Sequence, residues 1–195
     1  MRARPGSHHT LTASVRLEWS LARTQYCRMP DSAPEIGQAT KDDIADVLAL
    51  QDANQPDRGG MLSARLPRES FEAALLDMPL IVARREGRIV GYLMSFSMGT
   101  PTASIPITRA MLKAYPAGQD AYIYGPICVA EDERGKGVAS ALFRALCARV
   151  ADRECVTFIR ADNAASLHAH AKMGMRTVAE FTHDAVDLVV LAYKG

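Results

Sequence analysis

The stretch Val129-Ala130-Glu131-Asp132-Glu133-Arg134-Gly135-Lys136-Gly137-Val138-Ala139 decides how the rest of the chain is read. It leaves a β-rich segment, Ala121 to Val129, passes through a turn, and enters a helical stripe of Val138, Leu142, Ala145, Leu146 and Val150. Glycine lets a backbone approach a ligand closely, and the N–H groups of a first helical turn point outward with the positive end of the helix dipole. The segment therefore predicts an anion cradle. It is not a nucleotide-binding loop of the G-x-x-x-x-G-K-[ST] kind, because that spacing is absent. It is not a G-x-G-x-x-G dinucleotide fingerprint either, because Val138-Ala139-Ser140 holds no third glycine where one is needed. A nucleoside-triphosphate enzyme is further disfavoured by the lack of a partnered magnesium carboxylate.

Working outward, Gly125-Pro126 interrupts the strand before the cradle and predicts a bulge there. Thr40 stands three residues before Asp43, ahead of Ile44, Val47 and Leu48, a capping box opening a helix that ends near Asn54. A second short helix starts around Pro67, with Phe71, Ala74 and Leu75 on one face. Leu80 to Ala83 and Arg88 to Met94 flank Glu86-Gly87 as a hairpin. Ser97 to Asp120 holds Pro101, Pro106 and Pro116 and a short helix over Thr108 to Tyr115. Beyond the cradle helix come a strand at Val156 to Ile159, a helix at Ala164 to Met173, and strands at Met175 to Phe181 and Val186 to Tyr193. That order predicts a mixed α+β domain with helices on both faces of one sheet.

The chain of 195 residues suits one core. We read 1–32, with Pro5, Gly6 and His8-His9, as a flexible extension, vector-derived or an upstream start with Met29 as the natural beginning. Residues 33–195 form the single domain. With 48% hydrophobic and 23% charged residues the chain is not of disordered composition. A net charge of +1 gives no general attraction to nucleic acid or an anionic membrane. There is no apolar run long enough to span a bilayer and no secretory leader, so a cytoplasmic location is expected. Cys27, Cys128, Cys147 and Cys155 form no C-x-x-C pair and are read as reduced thiols. His168 and His170 stand two apart on a helix and face different directions, and His183 is remote, so no metal site is expected. Glu131-Asp132-Glu133 reads as a solvated turn face.

Arg134-Gly135-Lys136-Gly137-Val138-Ala139 resembles the [QR]-x-x-G-x-[GA] signature of the GNAT superfamily of acyl-CoA-dependent N-acetyltransferases. Asn163-Ala164-Ala165-Ser166-Leu167-His168-Ala169-His170-Ala171-Lys172-Met173-Gly174-Met175 resembles that family's second cofactor segment, N-x-x-[AS]-x-x-x-[YH]-x-x-x-G-[FM]. The resemblance covers roughly Glu35 to Tyr193. It implies a central, mostly antiparallel sheet of six to seven strands, flanked by about four helices, with a bulged and splayed central strand. It also implies acetyl-CoA as co-substrate. The amides of Arg134, Gly135, Lys136, Gly137, Val138 and Ala139 would bind the diphosphate, Ile127-Cys128-Val129 would pair with the pantetheine arm like an added strand, and Asn163 and Ser166 would contact it from the far side.

The same resemblance implies direct attack of an amine on the thioester in a ternary complex, which needs positioning, an oxyanion donor, and proton acceptance and donation. The bulge aims an amide, that of Cys128, at the thioester oxygen. His170 stands where many relatives carry a Tyr acid, and an imidazole donates only when protonated. The strand before the cradle offers Asp120, Tyr122 and Tyr124 rather than a central carboxylate base, so Tyr124 is read as a positioning group. The Cys128 thiol, without an activating neighbour at a known spacing, is read as a buried strand residue. The acceptor is an amine of a small molecule or an amino terminus, bordered by Gln51 to Leu66 and Gly99 to Gln119, with Met61, Leu62 and Ile105 as an apolar wall. A homodimer through Met175 to Tyr193 is compatible with this reading. The rival is a non-catalytic acyl-CoA-binding or regulatory module that keeps the cradle without acid–base groups.

Overall fold

The computed structural model describes residues 33–62 and 64–195; the N-terminal extension and Cys27 lie outside the described residues. In chain order the elements are β1 (Glu35–Gln38), α1 (Ile44–Ala53), α2 (Arg68–Asp77), β2 (Ile81–Arg85), β3 (Arg88–Ser97), α3 (Pro106–Ala114), β4 (Tyr122–Val129), α4 (Val138–Cys147), β5 (Glu154–Arg160), α5 (Ala164–Lys172), β6 (Arg176–His183) and β7 (Val186–Lys194). Five α-helices flank the sheet where about four were expected, because the short helix in the Pro-containing stretch forms in full as α3, opened by Pro106 in its first turn.

The local chemistry explains the boundaries. The amide and hydroxyl of Thr40 both donate to Asp43 Oδ2, at 2.7 and 3.0 Å, and fix the entry to α1. Arg84 Nη2 adds a 2.7 Å bond to the same oxygen and ties that entry to β2. Glu86 and Gly87 both have positive φ, 52° and 78°, which is the backbone twist a two-residue hairpin needs between β2 and β3.

One seven-stranded sheet runs β1-β2-β3-β4-β5-β7-β6. All neighbours are antiparallel except β4 and β5, which are parallel and joined through α4. That pair is also the shortest ladder in the sheet: Tyr122 pairs Cys155, Ile123 pairs Val156, and the strands then part. The β3/β4 register shifts at the same level, with Leu93 opposite Ile127 but Ser95 opposite Tyr124, so Gly125 and Pro126 face a single β3 residue. The expected bulge and splay are therefore one feature. A non-donating proline and a Gly125 at φ +96° break the ladder where the sheet opens.

Helices cover both faces. Tyr92 packs edge-to-face on Phe71 of α2, 5.7 Å between centroids, and Cys128 Sγ reaches Leu50 O of α1 at 3.9 Å. On the other face Tyr124 meets Phe143 of α4 and His170 of α5, at 5.6 and 5.5 Å. A Cβ on Gly91 would lie 3.1 Å from Val138 Cγ1 and 3.2 Å from Leu142 Cδ1, so the missing side chain is what lets α4 seat on β3. Val138, Leu142, Phe143 and Leu146 form the buried stripe of α4. No helix among the described residues is long and apolar enough to cross a membrane.

Candidate active site

The cradle begins where the sheet ends. Ala130 N donates to Val90 O at 2.9 Å, and the chain then makes a tight turn over Glu131–Glu133. Asp132 meets Arg88 at the surface, 2.7 Å, and the hydrogen bond from that guanidinium holds its carboxyl below the usual range. Glu133 departs from the expected solvated face. It is 3% exposed, accepts from Arg85 Nη2 at 3.0 Å, lies 2.9 Å from Arg85 Nε and 3.5 Å from Lys136 Nζ. The inward carboxylate anchors the turn to β2. A sequence pattern of three acids cannot show which one turns inward.

Gly135 and Gly137 both have positive φ, +75° and +82°, and no heavy atom lies within 4 Å of where a Cβ would be on either. Gly137 caps α4 without a side-chain bond, and the first helical bond runs from Ala141 N to Gly137 O at 3.0 Å. The amides of Val138, Ala139 and Ser140 thus face open space at the positive end of a ten-residue helix. That chemistry fits a diphosphate. A groove of about 290 Å³ continues from Ser140 past Arg144, Lys172 and Tyr193. The larger cavity, about 410 Å³ around Asp120 and Arg153, lies at the opposite end of β4 and has no part in the cradle.

Along the splayed edge, backbone parity decides which groups are available. Because Val90 and Ala130 form a hydrogen-bonded pair, the alternation of an antiparallel ladder makes Tyr92 and Cys128 the next such pair. The Cys128 amide is therefore committed to β3 and cannot serve as the oxyanion donor expected from the sequence. The amides and carbonyls of Ile127 and Val129 point the other way, toward the opening beside β5. The Cys128 thiol sits under α1 and is pushed up to about 12 by burial, with Arg134 pulling slightly the other way, so it is a neutral packing group.

The acid–base candidates are also corrected. His170 is 3% exposed, and its Nδ1 lies 2.7 Å from Ser166 O, with Ser166 Oγ at 3.4 Å. A carbonyl only accepts, so Nδ1 carries the proton, and burial lowers the ring's pKa despite that backbone bond. The ring is a neutral Nδ1–H tautomer, unsuited to donating a proton from Nε2. Tyr124 is buried to 2%, and its hydroxyl has no hydrogen-bond partner among the described residues. Burial raises its pKa well above the usual value, and does the same for Tyr122. Neither phenol is a base at neutral pH.

Asn163 caps α5, accepting from Ser166 N at 3.1 Å, and hangs from β5 through Asn163 N to Arg160 O at 3.0 Å, so both residues stand on the β5 side of the opening. His168 is exposed and, as the i+2 spacing requires, faces away from His170. Among the described residues no group of three His, Cys, Asp or Glu is placed to hold a metal ion. Met61 and Ile105 are 51% and 40% exposed, while Leu62 is partly buried against the core.

The sequence reading missed Gln51, Asn54 and Gln55, which are buried and polar. Gln51 accepts from Leu66 N and donates to Leu66 O, both 2.9 Å. Gln55 donates to Ala64 O at 3.1 Å, and Asn54 accepts from Arg134 Nη2 at 2.5 Å. Their signal was polar side chains at i, i+4 continuing the apolar stripe of Val47 and Leu50.

A mixed sheet opened beside a bulged strand, feeding a glycine-lined helix N-terminus, is the fold of N-acetyltransferases. The model of the Acetyltransferase (GNAT) family matches residues 47–175, and the chain belongs to that family. Solved structures share the fold. An N-acetyltransferase from Staphylococcus aureus Mu50 is 22% identical, with TM-score 0.62 over 84% of this chain and 99% of its own. A ribosomal-protein-alanine N-acetyltransferase from Brucella melitensis is 22% identical, with TM-score 0.60 over 82% and 99%. A putative acetyltransferase, yncA, from Salmonella typhimurium with its cofactor acetyl-CoA is 20% identical, with TM-score 0.62 over 84% and 94%. No curated protein matches the sequence.

Proposed function

We propose that the protein transfers an acetyl group from acetyl-CoA to an amine of a small molecule or an amino terminus, by direct attack within a ternary complex. The observation that carries this reading is a pair of unpaired backbone sites at the two ends of one turn: the Ile127 and Val129 amides on the open edge of β4, and the uncapped amides of Val138, Ala139 and Ser140. The acetyl-CoA in the Salmonella structure and the ribosomal-protein alanine named as acceptor for the Brucella protein support the same reading.

Acetyl-CoA supplies an activated thioester. Gly135 and Gly137 open the cradle so that the amides of the turn and of α4 hold the diphosphate, helped by the ammonium of Lys136. The Val129 backbone pairs with the arm, and the Ile127 amide takes the oxyanion role first sought at Cys128. Asn163 and Ser166 close the β5 side, and His170 with Tyr124 forms an aromatic floor that sets position and excludes water. Neither tyrosine is a base, and burial makes the His170 imidazole too weakly basic to hold an ammonium's proton, so the acceptor amine delivers its proton to water.

A panel of amines incubated with acetyl-CoA, followed by free-thiol release, tests the reaction; turnover with at least one is the expected outcome. Binding without turnover across the panel supports the acyl-CoA-binding module, a reading that the neutral, buried His170 also favours. Lys136→Glu puts a second carboxylate beside Glu133 and is expected to weaken coenzyme A binding about tenfold or more, read by titration. Unchanged affinity removes the cradle.

A further inference from the structure

The cavity of about 410 Å³ at the start of β4 lies at the closed end of the β4–β5 seam, away from the cradle. The one cation in its lining is Arg153, half-buried where the chain enters β5. The guanidinium lies over the Tyr122 ring, 5.4 Å from the centroid, and Nε donates to Asp120 O at 2.8 Å. Nη1 reaches only the Met78 thioether, at 3.5 Å, a weak acceptor. Nη2 has no hydrogen-bond partner among the described residues. A ring face and a backbone carbonyl thus fix the fork in place, but neither carries a full counter-charge, and a half-buried cation without one is costly. Two carboxylates stand on the same rim. Asp120 and Asp152 are both exposed, and neither side chain pairs with Arg153 or with another cation among the described residues. Asp152 stands at φ +63°, so its carboxyl is placed by the bend into β5 and not by an ion pair. Met98, Ala121 and Ala151 supply the apolar part of the lining.

We propose that this cavity binds a small aliphatic α-amino acid in its zwitterionic form. The ligand's carboxylate takes the unfilled edge of the Arg153 fork, which is already held in one orientation and loses little freedom on binding. Its ammonium stands between the carboxylates of Asp120 and Asp152, and its side chain lies on Met98 and Ala121. A plain carboxylate would leave both acids unused, and a plain amine would leave the guanidinium uncompensated. Only a ligand carrying both charges close together answers all three groups. The site stands apart from the cleft used for acetyl transfer and does not depend on that reading.

The test is calorimetric titration of the full chain with L-leucine and with its two halves, 4-methylpentanoate, which lacks the amine, and isoamylamine, which lacks the carboxylate. L-Leucine is expected to bind about tenfold or more tightly than either half, with amide NMR shifts centred on Ala121 and Asp152. Arg153→Met is expected to weaken that binding about tenfold or more, the worth of a hydrogen bond to a charged group. Asp152→Asn, which keeps the bend because asparagine tolerates positive φ, is expected to weaken it about two- to fivefold, as befits an exposed ion pair. If Arg153→Met fails to fold, Asp152→Asn decides the matter. Absence of L-leucine binding, equal affinity for either half, or affinity unchanged in Arg153→Met or Asp152→Asn overturns the site. So do shifts centred on Ile127 and Val138, which would put the ligand in the cleft instead. Each of these outcomes leaves the acetyltransferase reading intact.

Discussion

At neutral pH the His170 ring holds its single proton on Nδ1 against Ser166 O, and burial sets its folded pKa below the ordinary value of about 6.5. Between the folded value and about 6.5 the unfolded chain binds more protons, so this contribution to stability is complete above that pH and is lost as pH falls through the window. The melting temperature is expected to decline from about pH 6.5 downward, and His170→Gln to flatten that part of the profile in thermal melts. Asp43 acts in a separate window. Burial raises its carboxyl, but Arg84 and Thr40 outweigh this and hold it low, so its contribution is lost only as pH falls below about 4. Catalysis carries a different signature. With both phenols neutral, kcat/KM for a primary alkylamine is expected to rise tenfold per pH unit toward the amine's pKa of about 10.4. A plateau near pH 7 in initial rates would reveal a side-chain base elsewhere.

Among the elements, α4 depends most on a neighbour. Its first turn presents the cradle, and its seat on β3 exists because Gly91 has no side chain. Gly91→Ala forces Val138, Leu142 or the Cys128 carbonyl to give way. It is expected to cost about 1–3 kcal/mol in denaturant unfolding and to weaken coenzyme A binding at the same time. Elements governed by local chemistry were legible in the sequence. The Thr40 capping box, the Glu86-Gly87 hairpin, the Gly125-Pro126 interruption and the cradle glycines each act within a few residues. What depended on register was not. The Cys128 amide was assigned from the position of the bulge, whereas its direction follows from the Val90–Ala130 pair. Glu133 turns inward only because β2 brings Arg85 beside the turn, 48 residues away in sequence. His170 was placed on its helix correctly, but its tautomer depends on a carbonyl one turn back.

For the whole molecule, the sheet divides at β4 and β5. Strands β1 to β4 form one antiparallel set, β5, β7 and β6 another, and two residue pairs join them. At that seam Tyr122 still pairs with Cys155, whereas Tyr124, beyond the ladder, packs on Phe143 of α4 and His170 of α5. Native-state hydrogen exchange is expected to show β6 and β7 opening at lower free energy than β2 and β3, with acetyl-CoA narrowing the difference. Uniform protection across the sheet would count against it. The division was half legible. The proline in β4 announced a break, but how far β5 follows β4 before leaving it depends on pairing between residues more than thirty positions apart.

The bend at Asp152, exposed and at φ +63°, lies between the two antiparallel sets. A nick there would leave each fragment with its own antiparallel set of strands intact. The severed halves are expected to find each other in solution, which makes this seam the natural place to cut the chain for a two-piece reporter.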